Sequence, residues 1–304
     1  MFLKQGIDEN NKFLKYLLGS VFIIGASFLG QLPMLLAILY QTVIEGKIYP
    51  TNEVELMHFF EPNLNLFFLL ISFVFALGGI YLVVRFLHHQ KLLSIITARK
   101  KIDWKRVRFS FVIWSLFTVV TTIGTYYFCP TDFKINFQLI PFLILFVIAT
   151  LLVPIQTSVE ELVFRGYLMQ GFANLSKNKW FPLVMTSSIF GLMHLSNPEV
   201  SKMGNIIMIY YIGTGLLLGI ITLMDDGMEL ALGFHAANNL IGALLVTSDW
   251  SAFQTYSILK DVSKPEAVFD IIFPVIVIYP ILLIIFGLKY NWSGWKEKLT
   301  GRIE

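Results

Sequence analysis

A chain of 304 residues in which 56% are hydrophobic and 14% charged is not built like a soluble domain, whose charged share is about 25%. Its net charge of +3 lends no support to a nucleic-acid partner, and the composition points to the lipid bilayer instead. The single cysteine, Cys129, excludes an intrachain disulfide and a cysteine-cluster metal site.

Apolar stretches of the ~17–25 residues that a bilayer crossing needs fall at 16–42, 64–87, 109–128, 139–159, 180–197, 205–224, 231–247 and 269–288. They predict an all-α polytopic membrane protein with about eight transmembrane helices, residues 1–304 forming one integral membrane domain. The first stretch lacks a small-residue cleavage site and is too long for a signal-peptide core, so it is expected to be a retained helix. Eighteen of the 23 lysines and arginines fall on one side of this arrangement. By the bias of basic residues towards the cytoplasm, both termini are expected there.

In chain order, Gln31-Leu32-Pro33 near the middle of span one predicts a kink and a polar packing contact. The loop 43–63 is acidic, with His58 as an exposed side chain. Residues 85–108 carry His88, His89 and a cluster of basic side chains, expected first as a surface anchored on anionic headgroups and alternatively as a docking surface for substrate. The stretch 139–173 is too long for one perpendicular crossing and must tilt, kink at Pro154 or run past the membrane surface.

Within it lies Ser158-Val159-Glu160-Glu161-Leu162-Val163-Phe164-Arg165-Gly166. An ionisable group at membrane depth costs at least about 2.5 kcal/mol on insertion scales, so two glutamates and an arginine read as a functional site ahead of an interfacial salt bridge. Glu161 and Arg165 are i and i+4, placed to neutralise each other. Glu160, about 100° further round the helix, is free to face something else. The polar turn Ser176-Lys177-Asn178-Lys179 then reverses the chain. Glu160 and His194 are each 17 residues from Lys177, so a regular hairpin sets them face to face.

Span six carries Gly204, Gly213, Gly215 and Gly219, small residues that let helices approach closely, and ends in the turn Asp225-Asp226-Gly227. Span seven supplies His235 and Asn239, i and i+4 on one helix face and about 12 Å below the turn. Glu160 and His194 lie deeper than that, so the depths agree only if the 176–179 turn projects into the cytoplasm. Span eight has Pro274 and Pro280 and no ionisable residue between Ile271 and Leu288, the pattern of scaffold.

A carboxylate and an imidazole sharing one water make a general base for hydrolysis, Glu160 taking the proton and His194 orienting the water. His235 and Asn239 are then placed to donate hydrogen bonds to the oxyanion that develops on the attacked carbonyl. The pattern Glu160-Glu161-x-x-x-Arg165, Phe190-x-x-x-His194 and His235-x-x-x-Asn239 resembles the CAAX protease and bacteriocin-processing family, which includes the type II CAAX prenyl endopeptidases. The resemblance covers residues 139–247, the motif-bearing core. It implies an intramembrane endopeptidase without a cofactor, with Glu160 and His194 activating water, His235 and Asn239 as oxyanion donors, and Glu161 and Arg165 in support. It also implies a protein or lipidated-peptide substrate, cut after a prenylated cysteine in the eukaryotic members, and a place in a bacterial cell membrane.

Three alternatives stand beside this reading. Glu160, His194 and His235 match the two-histidine, one-carboxylate set of a zinc protease, although no H-E-x-x-H pair accompanies them. A non-catalytic membrane scaffold or a bacteriocin self-immunity protein would keep the same residues. A proton-relaying transporter would use similar groups, but the two halves show no evident repeat.

Overall fold

The computed structural model describes residues 1–7 and 11–303. Helix α1, Phe13–Val43, packs against α2, Pro62–Leu82. Helix α2 starts where Glu61 accepts from the Asn63 and Leu64 amides at 3.1 Å each and Pro62 takes a position that needs no amide hydrogen. Helix α3, Trp104–Phe128, is capped by Asp103, which accepts from the Lys105 amide at 3.0 Å. Then come α4, Leu139–Glu161; a π-helical segment, Leu162–Leu168; and α5, Met169–Ser176. These three run on as one helical stretch. Helix α6, Trp180–Leu192, α7, Met208–Asp225, α8, Glu229–Leu245, and α9, Tyr279–Tyr290, complete the membrane layer. A short α10, Trp295–Thr300, follows. Three short strands lie at the far end of α3: β1, Phe133–Ile135, runs antiparallel to β3, Leu259–Asp261, which pairs in parallel with β2, Val246–Thr247.

Among the described residues six helical stretches are long and apolar enough to cross a membrane: Phe13–Val43, Pro62–Leu87, Trp104–Phe128, Leu139–Ser176, Asn205–Asp225 and Val268–Tyr290. The protein is an all-α, multi-pass membrane protein, but the expected count of eight is not met on length. The fifth expected span is a helix of 13 residues and the seventh one of 17, about 20 and 26 Å long. Both are the segments that bring histidines to the site.

The surface is inverted relative to a soluble protein, with Phe22, Leu36, Val120 and Ile276 each more than 60% exposed around the outside. The largest internal cluster joins Ile80, Leu218, Ile221, Leu230, Phe234 and Phe286. Helix α8 lies against α3 and α4, and α6 against α7. The α8–α3 approach is so close that a Cβ on Gly233 would sit 2.1 Å from the Val107 carbonyl oxygen, which is why a glycine stands there. The close approach expected of Gly215 is also present, since its Cβ would meet the Ser187 carbonyl oxygen at 2.9 Å.

Several local expectations are revised. Helix α1 continues through Pro33, and Gln31 is exposed instead of buried in a contact. The 139–173 stretch resolves its excess length by running on as a 38-residue helical segment, with a π-helical stretch after Glu161 and no break at Pro154. The basic segment 85–108 is not simply a headgroup-facing surface. Arg99 pairs with Asp225 and Glu229 at 3.0 Å each, and Arg106 with Asp225 at 2.6 Å. These carboxylates are almost wholly buried and would be costly without partners, so the turn after α7 is a charged anchor for the loop. His88 is also inside. Its Nε2 lies 2.9 Å from the Tyr167 hydroxyl and its Nδ1 3.1 Å from Asn11 Oδ1. Burial, with Lys15 and His89 nearby, pushes it down to about 4.

Both terminal segments meet this turn, since the Phe2 amide donates to Asp226 at 3.2 Å and Lys298 is paired with the same carboxylate. The two termini therefore lie at one end of the molecule. Helix α10 also reaches the hairpin turn, where Lys179 is paired with Glu297 at 3.2 Å.

Candidate active site

The site begins with helical pitch. Gln156 and Glu160 are one turn apart at the end of α4, so the Gln156 amide donates to Glu160 Oε1. Glu161 turns inward and is completely buried, as is Arg165. They meet at 3.1 Å, and the arginine also donates to the Gly215 carbonyl at 3.2 Å. Arg165 lies within the π-helical segment. Such a segment adds a residue to the turn and occurs mostly at functional sites. The Phe190 ring covers the guanidinium at 4.4 Å, a contact that a desolvated cation favours.

Helix α8 delivers His235 and Asn239 to this pair of glutamates. His235 Nδ1 is 2.7 Å from Glu161 Oε1, and its Nε2 is 3.4 Å from Glu160 Oε2. An ionised carboxylate only accepts, so Nδ1 carries the proton in the bond to Glu161. Asn239 Nδ2 donates to Gln156 Oε1 at 3.2 Å. Glu160 keeps 16% of its side chain exposed, whereas Glu161 keeps none.

His194 lies two residues beyond the end of α6, in the turn that follows, and its Nδ1 is 2.8 Å from the Phe190 carbonyl. A carbonyl only accepts, so Nδ1 bears the hydrogen and Nε2 the lone pair. The ring is stacked on Tyr211 at 4.3 Å and 23°, and the Tyr211 hydroxyl takes a hydrogen bond from Asn197 at 3.4 Å. The Phe190 ring lies 4.8 Å from His194 and 6.1 Å from His235, and among the described residues no hydrogen bond joins His194 to Glu160. The face-to-face expectation is not met as a direct contact between the two side chains. The structure brings Glu160, Glu161, Arg165, His235 and Asn239 into one bonded cluster and holds His194 beside it on a different support. Among the described residues no group of three or more histidine, cysteine, aspartate or glutamate side chains is arranged to hold a metal ion.

Two members of the site were not anticipated from sequence. Gln156 has a signal there, a polar residue four positions before Glu160 in an otherwise apolar run. Tyr211 has none, because its role depends on α7 passing the turn after α6.

Residues 138–241 match the family model of type II CAAX prenyl endopeptidase Rce1-like proteins. The matched segment contains Glu160, Glu161, Arg165, His194, His235 and Asn239. A Bacillus subtilis (strain 168) protein, YyaK, described as uncharacterised, is 29% identical over 272 residues, which cover 89% of this chain and 90% of that protein. No solved structure matches. The resemblance carried by three short motifs is therefore also a similarity along the whole motif-bearing segment, and at the level of the family it is a similarity to peptidases.

Proposed function

We propose that the protein is an intramembrane endopeptidase that hydrolyses a peptide bond with a water activated by Glu160 and His194. The observation that carries the reading is a partly exposed carboxylate backed by a buried cluster of paired charges, with His194 as a second acceptor beside it. Glu160 is partly exposed and His194 presents a bare Nε2, while Glu161, Arg165 and His235 form a desolvated cluster at their back.

A water between the two acceptors gives one hydrogen to the Glu160 carboxylate and one to His194 Nε2. Its oxygen lone pair is thereby directed at the substrate carbonyl. As the oxygen bonds to carbon, Glu160 takes a proton and the carbonyl oxygen gains the negative charge. Asn239 Nδ2 and His235, one turn apart on α8, are the donors to that oxygen. Collapse of the intermediate breaks the carbon–nitrogen bond, and Glu160 returns its proton to the leaving amine.

The site lies along helices α4 and α8, within the apolar layer, so the substrate is a protein or lipidated peptide presented at the membrane, with a prenylated cysteine motif as the first candidate. The terminal segments and the basic residues share one end of the molecule, which supports a cytoplasmic location for both termini. The similarity to YyaK of Bacillus supports a bacterial cell membrane. The test is cleavage of a farnesylated peptide ending in Cys-a-a-X by purified protein in detergent. Wild type should cleave, Glu160→Gln should not, and the wild-type rate should withstand phenanthroline. Cleavage by Glu160→Gln would refute the assignment of the base, and loss under chelation with recovery on zinc would establish the metal alternative.

A further inference from the structure

Four side chains lead away from Glu160 into α3. Gln156 Nε2 donates to Glu160 Oε1, Asn239 Nδ2 donates to Gln156 Oε1 at 3.2 Å, Asn238 Nδ2 donates to Asn239 Oδ1 at 3.1 Å, and Trp114 Nε1 donates to Asn238 Oδ1 at 3.1 Å. The two ends of this chain are chemically opposite. An indole can only donate, and an ionised carboxylate can only accept. Each of the three amides between them therefore satisfies both neighbours in one orientation and neither in the other. The Tyr210 hydroxyl beside Asn238 both donates and accepts, so it imposes no direction of its own.

The indole is itself held firmly. Trp114 is 7% exposed, is stacked on Phe117 at 4.9 Å and 25°, and lies against Phe234 at 4.4 Å. Phe234 is the residue before His235 on α8, so the ring that starts the chain is packed on the helix that carries the site.

The geometry points to Trp114, Asn238 and Gln156 as positioning residues: the directed chain from the Trp114 indole sets the amide of Asn239 with its nitrogen towards the reacting carbonyl and fixes Glu160 Oε1 so that Oε2 remains for the water. One Nδ2 hydrogen of Asn239 is spent on Gln156 and the other is left for the oxyanion. Flipping the amide would present an oxygen to the developing negative charge. This assignment rests on the hydrolytic reading of the site, and it adds three residues that touch neither substrate nor water.

The kinetic test is Trp114→Phe, which deletes one donor and keeps an aromatic ring in place. It should lower kcat between about twofold and tenfold, the range that one net hydrogen bond represents, with KM unchanged. The change should have no further effect in an Asn239→Ala background, because the amide it orients is then gone. Asn238→Leu keeps the indole ring but removes its acceptor and the next link of the chain; it should reproduce the result, which covers the case in which Trp114→Phe fails to fold. An unchanged kcat, or the same fold-reduction in the Asn239→Ala background, overturns the proposal. A second readout does not depend on turnover. In the full-length 15N-labelled protein in detergent, the chain has six tryptophans, and the Trp114 indole resonance is identified by its loss in Trp114→Phe. That resonance should move in Gln156→Leu and in Asn239→Ala, although neither residue touches the ring, and an unmoved resonance overturns the proposal. If wild type cleaves nothing, the hydrolytic reading fails by itself and the resonance still decides whether the chain exists.

Discussion

Replacing Arg165 by methionine tests how the site survives its own burial. The side chain is entirely enclosed, gives hydrogen bonds to Glu161 at 3.1 Å and the Gly215 carbonyl at 3.2 Å, and lies 4.4 Å over Phe190. Methionine fills much of the same volume and supplies no charge, so the dominant effect is a Glu161 carboxylate left without its arginine. Breaking a buried pair from one side costs about 3–5 kcal/mol. His235 still donates to Glu161 at 2.7 Å and compensates part of the charge, so the lower end, about 3 kcal/mol, applies. For a chain of this size that corresponds to a fall of roughly 6–12 °C in Tm. The assay is thermal unfolding of purified protein in one detergent at fixed concentration. Glu161→Gln combined with Arg165→Met should recover most of the loss, because a neutral amide at that position still accepts from His235 and carries no unpaired charge. A single variant as stable as wild type, or a double variant no better than the single, would refute the view that the arginine is there to neutralise Glu161.

Three further outcomes follow from the same geometry. His88 is neutral and buried with a value pushed down to about 4 from an ordinary 6.5. Above pH 6.5 neither folded nor unfolded chain carries its proton; below it the unfolded chain takes up a proton that the folded one refuses. Stability should therefore fall from pH 6.5 to about 4 and flatten beneath. About 2 kcal/mol is at stake after allowance for partial solvent contact, and His88→Gln should flatten that limb in unfolding measured against pH. Gly233→Val should lower stability by roughly 3 kcal/mol by pushing α8 off α3, whereas Gly242→Val, on the same helix with nothing within 4 Å of its would-be Cβ, should be close to neutral in the same thermal assay. Asn239→Ala should lower kcat of peptide cleavage about 100- to 1,000-fold, as the loss of an oxyanion donor does, and an effect confined to KM would remove it from that role.

Neutralisation of Glu161 by Arg165 was legible because it is local. Residues four apart on a helix are neighbours whatever the rest of the chain does, and a charge in an apolar run demands a partner. The hairpin at Lys177 was legible for a similar reason, since a polar turn between two apolar runs leaves the chain little choice. Its closing residue takes the left-handed conformation, φ 54°. Less legible were contacts in which the partner comes from far along the chain. The spacing assigned His235 to the oxyanion, and nothing in it foretold that both ring nitrogens would face glutamates 74 and 75 positions earlier. The basic loop 85–108 looked like a headgroup surface because its partners, Asp225 and Glu229, lie more than 115 residues away.

The amino-acid order alone therefore determined the membrane class, the helical character of the apolar stretches though not how many are long enough to span, the turn between the motif-bearing segments and the list of groups able to do chemistry. Each of these follows from local rules of apolar length, helical pitch and the cost of a buried charge. Tertiary structure decided which faces those groups present. The π-helical segment after Glu161 sets the register of Arg165, the short α6 ends before His194 and leaves it on a turn beneath Tyr211, and the close seam at Gly233 brings Trp114 to the asparagines of α8. Those relations depend on how far two surfaces interpenetrate, a quantity to which every residue of both helices contributes and which no single stretch of the sequence contains.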